Sequence, residues 1–552
     1  MAGIAKTIRS RGRQSLRAAR RVTGGARSFG PRTTAEWAWS RRPGDHGSGA
    51  TAENTSFTWV QASERSTTHV VVHNYWSDAY GIERPELQAS LITTDGTVLD
   101  QWTFTLPPDG TEVIDVRTRC AAAAIALPFE GQLLLRLAHD DVVAGRPVQH
   151  YADYLRDDGE SSGVHGQYGF IQLPLAQGVG TMRVESGSGR RTAVVLHNAY
   201  AGPGSPTSME VPVDVFAHDG RRRSVRLDPL AAGASRLVWL DECFDGLDAF
   251  LDDRPGHVRV ELGCPSSRVF TYVALPPDGR PVVNHGTVDR LLQQDPGVPV
   301  SWIESWPVLS MLVWCDGDRD TVGALPNLWG PARADYPVQI DVFDEAGQRV
   351  ATDRLTVPAG GLTERSMAEL LRDAGVGLPF TGNAEVRLRA PAGVEELPAV
   401  FDGLVAIRAA GTLVGEVQVG SEFYNAAMPP ECRQPDIRRT RIFGRVVVGA
   451  DRRTWIHLAH PVADDGEHAA SATLLTLLDG SGEHRSTREV ALPPHGSLLS
   501  TVEDLFPEAA ELLGPSGTGV LRVRDTTARL YGFAALEVDG ARTIAIDHLT
   551  GG

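Results

Sequence analysis

Histidines and aromatic residues gather in two stretches of the first third of the chain. His73, Tyr75, Trp76 and Tyr80 fall in one loop, and His150, Tyr151, Tyr154, His165 and Tyr168 in a closing segment about ninety residues on. Aromatic faces beside hydrogen-bonding side chains suit a sugar, whose C–H face packs on a π surface while its hydroxyls seek polar partners. His73, Tyr75, Trp76, Tyr80, His150, Tyr154 and His165 are therefore the candidate ligand-binding set, with a glycan or glycoconjugate as ligand. A second reading makes His73 and His165 acid, base or metal ligands of an enzyme. A third has these rings pack the edge of a module or its contact with the next.

The histidines also recur. His165-Gly166, His285-Gly286 and Asp547-His548 stand at matching places, 88 to 92 residues beyond an apolar strand ending His73-Asn74, His197-Asn198 or His460. Gly420-Ser421-Glu422 takes that place in a third copy. Recurrence fits either a ligand or metal site, or polar side chains that satisfy the backbone of a turn. The strand end and the closing segment should lie at one end of each module, bringing His73 near His165 and His197 near His285.

Asp316, Asp318 and Asp320 alternate as the carboxylates of a calcium loop do, which makes calcium the one cofactor the sequence suggests. An EF-hand is excluded, because Thr321 stands where its glycine is needed and Asn327 where its bidentate glutamate belongs. A plain acidic turn is the other reading. Gly159-Glu160-Ser161-Ser162-Gly163 matches GxSxG without the strand-turn-helix context that makes a nucleophile elbow. HExxH and Walker A motifs are absent. Lys6 is the only lysine, so the modules hold no Schiff-base or P-loop lysine. Five cysteines without CxxC spacing read as free thiols in a reducing compartment.

The elements that carry these residues come from a repeat. An apolar strand (THVVVHN 68–74, TAVVLHN 192–198, LSMLVWC 309–315, TWIHLAH 454–460) leads into a strand pair turned at Asp95-Gly96, Asp219-Gly220, Ala346-Gly347 or Asp479-Gly480. A second turn follows at Gly110, Gly233, Gly360 or Gly496, then a strand, a short helical segment and a closing strand. Apolar-polar alternation on both sides of a glycine turn, as in VPVDVFAHDGRRRSVRL at 211–227, marks hairpins. The expected fold is all-β: four tandem immunoglobulin- or fibronectin-like sandwiches with short inserted helices. Boundaries fall at 51–178, 179–298, 299–430 and 431–552, after a basic tail and linker at 1–50.

Charge separates tail from body. The net charge is −16, yet residues 1–32 hold nine basic residues and no acidic one. An acidic body disfavours nucleic acid, whereas the tail, with Ile4 and Ile8 opposite Lys6, Arg9 and Arg13, can seek an anionic membrane surface or an acidic partner. The N-terminus shows neither a secretory signal nor an 18-residue apolar run, so the expected location is cytoplasmic, with peripheral membrane contact through the tail. The function expected is a non-enzymatic binding or scaffolding protein. The alternatives are an enzyme with a histidine-containing site in module 1 and a structural protein that self-assembles.

Overall fold

The computed structural model describes residues 55–137, 148–168, 178–198, 208–262, 270–276, 279–288, 298–299, 308–327, 335–389, 396–397, 400–422, 440–462 and 468–551. The basic tail and its membrane or partner expectation lie outside them. The fold is all-β, a tandem set of antiparallel sandwich modules with short helices. Among the described residues no helix is long and apolar enough to cross a membrane.

The second module shows the plan. One sheet runs Arg222–Ala231, Ser208–Phe216, Gly256–Leu262, Gly178–Val184, Thr287–Val288, and the other Ser235–Trp239, Arg191–His197, Phe270–Leu275, Arg280–His285. Ser208–Phe216 buries Met209, Val211, Val213 and Val215 against Val194, Leu196, Val258 and Val260, while Glu210 stays exposed, which is the period-two pattern of a half-buried strand. The fourth module repeats the order strand for strand, ending on Tyr531–Val538 and Ile544–His548. In the first, pairing of Ala62 with Thr67 joins both layers into one nine-stranded sheet. In modules 3 and 4 the first inserted helix is capped by a side chain: Ser366 Oγ accepts from Glu369 N (3.0 Å) and Thr501 Oγ1 from Asp504 N (3.1 Å).

The third module corrects the repeat alignment. LSMLVWC belongs to Val308–Cys315, a first strand that pairs with Phe380–Leu388, as Thr440–Val447 pairs with Thr518–Asp525. The leading strand is Arg319–Pro326, followed by Asn327. Every residue of Val308–Cys315 is buried, so its apolar run imitated a leading strand without being one.

With that register one clamp recurs four times. Asn74, Asn198, Asn327 and His460, just past their leading strands, donate backbone N–H groups to Gly110, Ala234, Gly361 and Gly496, each at 2.9 Å. Their side chains reach the same turn, from Asn74 Nδ2 to Pro107 O (2.9 Å), from Asn198 Nδ2 to Leu230 O (2.9 Å), and at 3.2 Å between His460 Nδ1 and Leu492 O. The strand-end Asn or His is thus a folding device that satisfies a turn.

The clamped turn then receives its neighbour. The first residue of the strand after it donates N–H to the hairpin turn of the preceding module: Ser235 to Thr94 O (3.0 Å), Leu362 to His218 O (3.1 Å) and Ser497 to Glu345 O (3.3 Å). The fourth such bond runs from Thr111 of module 1 to Gly480 O of module 4, at 2.8 Å. A head-to-tail contact that returns to its start makes a closed ring. The approach is tight enough to demand glycine. A Cβ on Gly220 would lie 2.3 Å from Ala359 O, and one on Gly482, whose φ is +73°, 2.1 Å from Pro108 O.

Buried ions and aromatic pairs fill the junctions. Arg183 reaches Glu364 (2.7 Å) and Glu416 (3.2 Å) between modules 2 and 3, and Arg445 reaches Asp153 (2.6 Å) between modules 4 and 1. Trp314 meets Trp455 at 5.0 Å between modules 3 and 4, and Phe57 meets His197 at 4.9 Å between modules 1 and 2.

Candidate functional site

Each module leaves one strand at the edge of its second sheet: Ser161–His165, Arg280–His285, Thr412–Glu422 and Ile544–His548. An unpaired edge is a liability, and the ring buries all four along its axis, each beside the next and the last beside the first. Val283 N donates to Ser162 Oγ (2.7 Å), Gln418 N to Asn284 Oδ1 (3.1 Å) and Ser161 N to Thr543 Oγ1 (2.9 Å). Ser161 and Ser162 of the GxSxG match are thus part of an axial strand that runs on to His165, where a nucleophile elbow would turn into a helix.

The ends of three axial strands bring His165, His285, Asp547 and His548 together. One ligand atom from each lies within 4.8 Å of the others. His165, His285 and Asp547 are buried, and the His548 side chain is 29% exposed. The three imidazoles stand edge to face, with centroids 4.2 Å apart for His165 and His285, 4.5 Å for His165 and His548, and 5.2 Å for His285 and His548. Asp547 lies between two of them, its oxygens 3.1 and 3.2 Å from His165 Nδ1 and 3.4 Å from His548 Nδ1. Burial pushes the Asp547 carboxyl up to about 6, against the opposing pull of His548 and Arg445. Among the described residues this is the one cluster of three or more His, Cys, Asp or Glu side chains gathered closely enough to hold an ion. Side chains of Gly420-Ser421-Glu422 lie outside the described residues.

Of the six residues of the ligand set whose side chains are described, His165 alone joins the axial cluster. Pairing of Val72 with His150 and of Tyr151 with His165 puts His73 and His165 at one end of the sheet, but two strands apart. His73 Nδ1 lies 3.2 Å from Gly110 O and its ring 5.1 Å from Phe443, and burial drives its pKa down to about 3. His197 is likewise held near 3 by burial, its Nδ1 3.2 Å from Gln132 Oε1. His150 Nδ1 lies 3.2 Å from Ser56 Oγ, also in the interior. Tyr75 and Trp76 open a helix, Tyr75–Tyr80, and both rings are buried, Tyr75 stacked 5.7 Å from Phe443. Tyr80 ends that helix, and its side chain lies outside the described residues. Tyr154, 1% exposed, donates its hydroxyl to Trp59 O at 2.7 Å. A sugar ring needs an exposed aromatic face, and Tyr75, Trp76 and Tyr154 present theirs to the protein interior.

The three aspartates do not converge on an ion either. Asp316 Oδ1 accepts from Asp318 N (2.9 Å) and Arg319 N (2.8 Å), closing a turn on itself. Asp320 instead accepts from Ser366 Oγ (2.6 Å) and Ala368 N (2.9 Å) at the start of the helix Met367–Asp373. Its carboxylate serves a helix N-terminus, where negative charge is favoured.

No family model matches the chain, nor does any curated protein. One similar solved structure is a glycosyl hydrolase family 2 member from Bacteroides cellulosilyticus, 11% identical, covering 45% of this chain and 28% of that one, with a TM-score of 0.11. Likeness at that level carries no argument about fold or activity.

Proposed function

We propose that the protein is a non-enzymatic binding scaffold, one polypeptide closed into a ring of four sandwich modules. The observation that carries this reading is the bond from Thr111 N to Gly480 O, which repeats between the chain's first and last modules the contact made at the other three junctions. A second support is the outer rim. Each module turns outward a hairpin strand with exposed residues, Val98–Thr105, Arg222–Ala231, Arg349–Val357 and Arg485–Val490. Four similar surfaces fixed on one rigid body suit a partner that carries repeated sites, because each contact after the first is intramolecular. A glycan ligand draws no support from Tyr75, Trp76 or Tyr154, whose faces are buried, so a protein partner is the better match. Sedimentation and small-angle scattering of the full chain, with calorimetry, test the reading. A compact single-chain particle that melts in one cooperative transition is expected. An extended particle whose modules melt separately would defeat it.

A further inference from the structure

We propose that the axial cluster binds one divalent transition-metal ion of the zinc class, held by His165, His285, His548 and Asp547. The proposal goes beyond the scaffold reading and shares its ring. Three imidazoles and one carboxylate form a donor set that suits zinc, cobalt or nickel, whereas calcium and magnesium take oxygen. Four protein ligands fill a tetrahedral shell, which is a closed coordination sphere without an open position for substrate.

Distances support the assignment. Bonds of about 2.0–2.2 Å to a tetrahedral ion place ligand atoms roughly 3.4 Å apart, and the present atoms already lie within 4.8 Å of one another. One ring is also oriented as a metal ligand is. His285 Nδ1 lies 3.2 Å from Gly286 O, and an imidazole that donates one N–H to a backbone carbonyl turns its other nitrogen to the metal. Placing three imidazoles within 4.2–5.2 Å of one another serves no packing need that aliphatic side chains would not meet better.

The consequence is architectural. His165 comes from module 1, His285 from module 2, and Asp547 with His548 from module 4, so one ion pins three axial strands and the junction where the ring closes. Ions that bind only the assembled axis stabilise the closed ring by mass action.

Full-length protein stripped with chelator and titrated with Co²⁺ tests this directly. One equivalent should bind with the strong visible bands of four-coordinate cobalt, zinc should displace it, and either ion should raise the melting temperature. His548→Ala and Asp547→Asn should each weaken binding at least about tenfold, the scale even for loss of an orienting partner. His484→Ala, a control with a 72% exposed side chain, should leave binding unchanged. A compact, folded full-length chain that binds no cobalt would overturn the proposal. So would binding that survives both axial substitutions, which would mean an adventitious ion only. Failure of the ring itself would show separately, as an extended particle in scattering.

Discussion

His165 Nδ1 lies 3.1 Å from Asp547 Oδ2, although 382 residues separate them in the chain. The contact exists because each module docks its hairpin turn on the clamped turn of the next, and the fourth docking returns to the first. Repeating one head-to-tail interface with a rotation that closes needs no special surface at the ends. The axis follows from the rim.

Arg445 and Asp153 should be the most sensitive pair at the closing junction. Their side chains are 1% and 3% exposed, so Asp153→Ala strands a buried guanidinium, at a cost of about 3–5 kcal/mol. Chemical denaturation should show that loss. A change below about 1 kcal/mol would mean that water already reaches the junction and the ring is open there.

Stability should fall as the solution is acidified below pH 6.5. Burial holds His73 and His197 near 3 and His257 and His457 near 4, so the folded chain keeps all four neutral while the unfolded chain protonates them from 6.5 downward. Each such histidine contributes stability above its unfolded value and loses it toward the folded one, with a slope of up to about 1.4 kcal/mol per pH unit. Asp547, raised to about 6 from 3.8, has the opposite sign between those values, as do Asp153 and Glu416, whose carboxyls burial also raises, while His150, likewise held near 3, adds to the histidines. Urea midpoints measured from pH 7 to 4.5 should drop steeply. Flat midpoints would show that these histidines titrate in the folded state.

How much of this was legible depends on range. Gly96, Gly220, Gly233, Gly347 and Gly360 could be read because a positive φ selects glycine locally, and the alternation of 211–227 because one face is buried. What the turns touch could not be read, since Gly220 is constrained by Ala359 of another module. In the fourth copy the close approach falls on Gly482 and not on Gly480. The recurrence of His165, His285 and Asp547-His548 was visible, but a site drawn inside module 1 paired His165 with His73. The true partners come from other modules, and no local pattern records that. The aromatics of module 1 misled for a related reason: a Trp in the core and a Trp at a binding face have the same sequence signature.

Trp76 discriminates those two roles. Fully buried, it should cost about 3–5 kcal/mol when replaced by alanine. A surface binding residue would cost less than about 1 kcal/mol and change ligand affinity instead. Thermal unfolding of Trp76→Ala beside a glycan-binding assay separates them.

Asp320 should matter to stability and Asp318 should not. Asp320→Ala removes the bonds at the helix Met367–Asp373, worth about 1–2 kcal/mol. Asp318→Ala, in an exposed turn, should stay within about 0.5 kcal/mol. Calorimetry with calcium and with chelator should give equal curves. Melting that rises with calcium and loses the rise in Asp318→Ala would restore the calcium loop.

Hydrogen exchange at the amide of Thr111 tests the closed ring most directly. Ser235, Leu362, Ser497 and Thr111 each donate to the neighbouring module, and only the Thr111 bond requires the first and last modules to meet. The ring predicts slow exchange at all four amides in the full-length chain. Fast exchange at Thr111, with Ser235, Leu362 and Ser497 still protected, would contradict it and leave an open row of four modules.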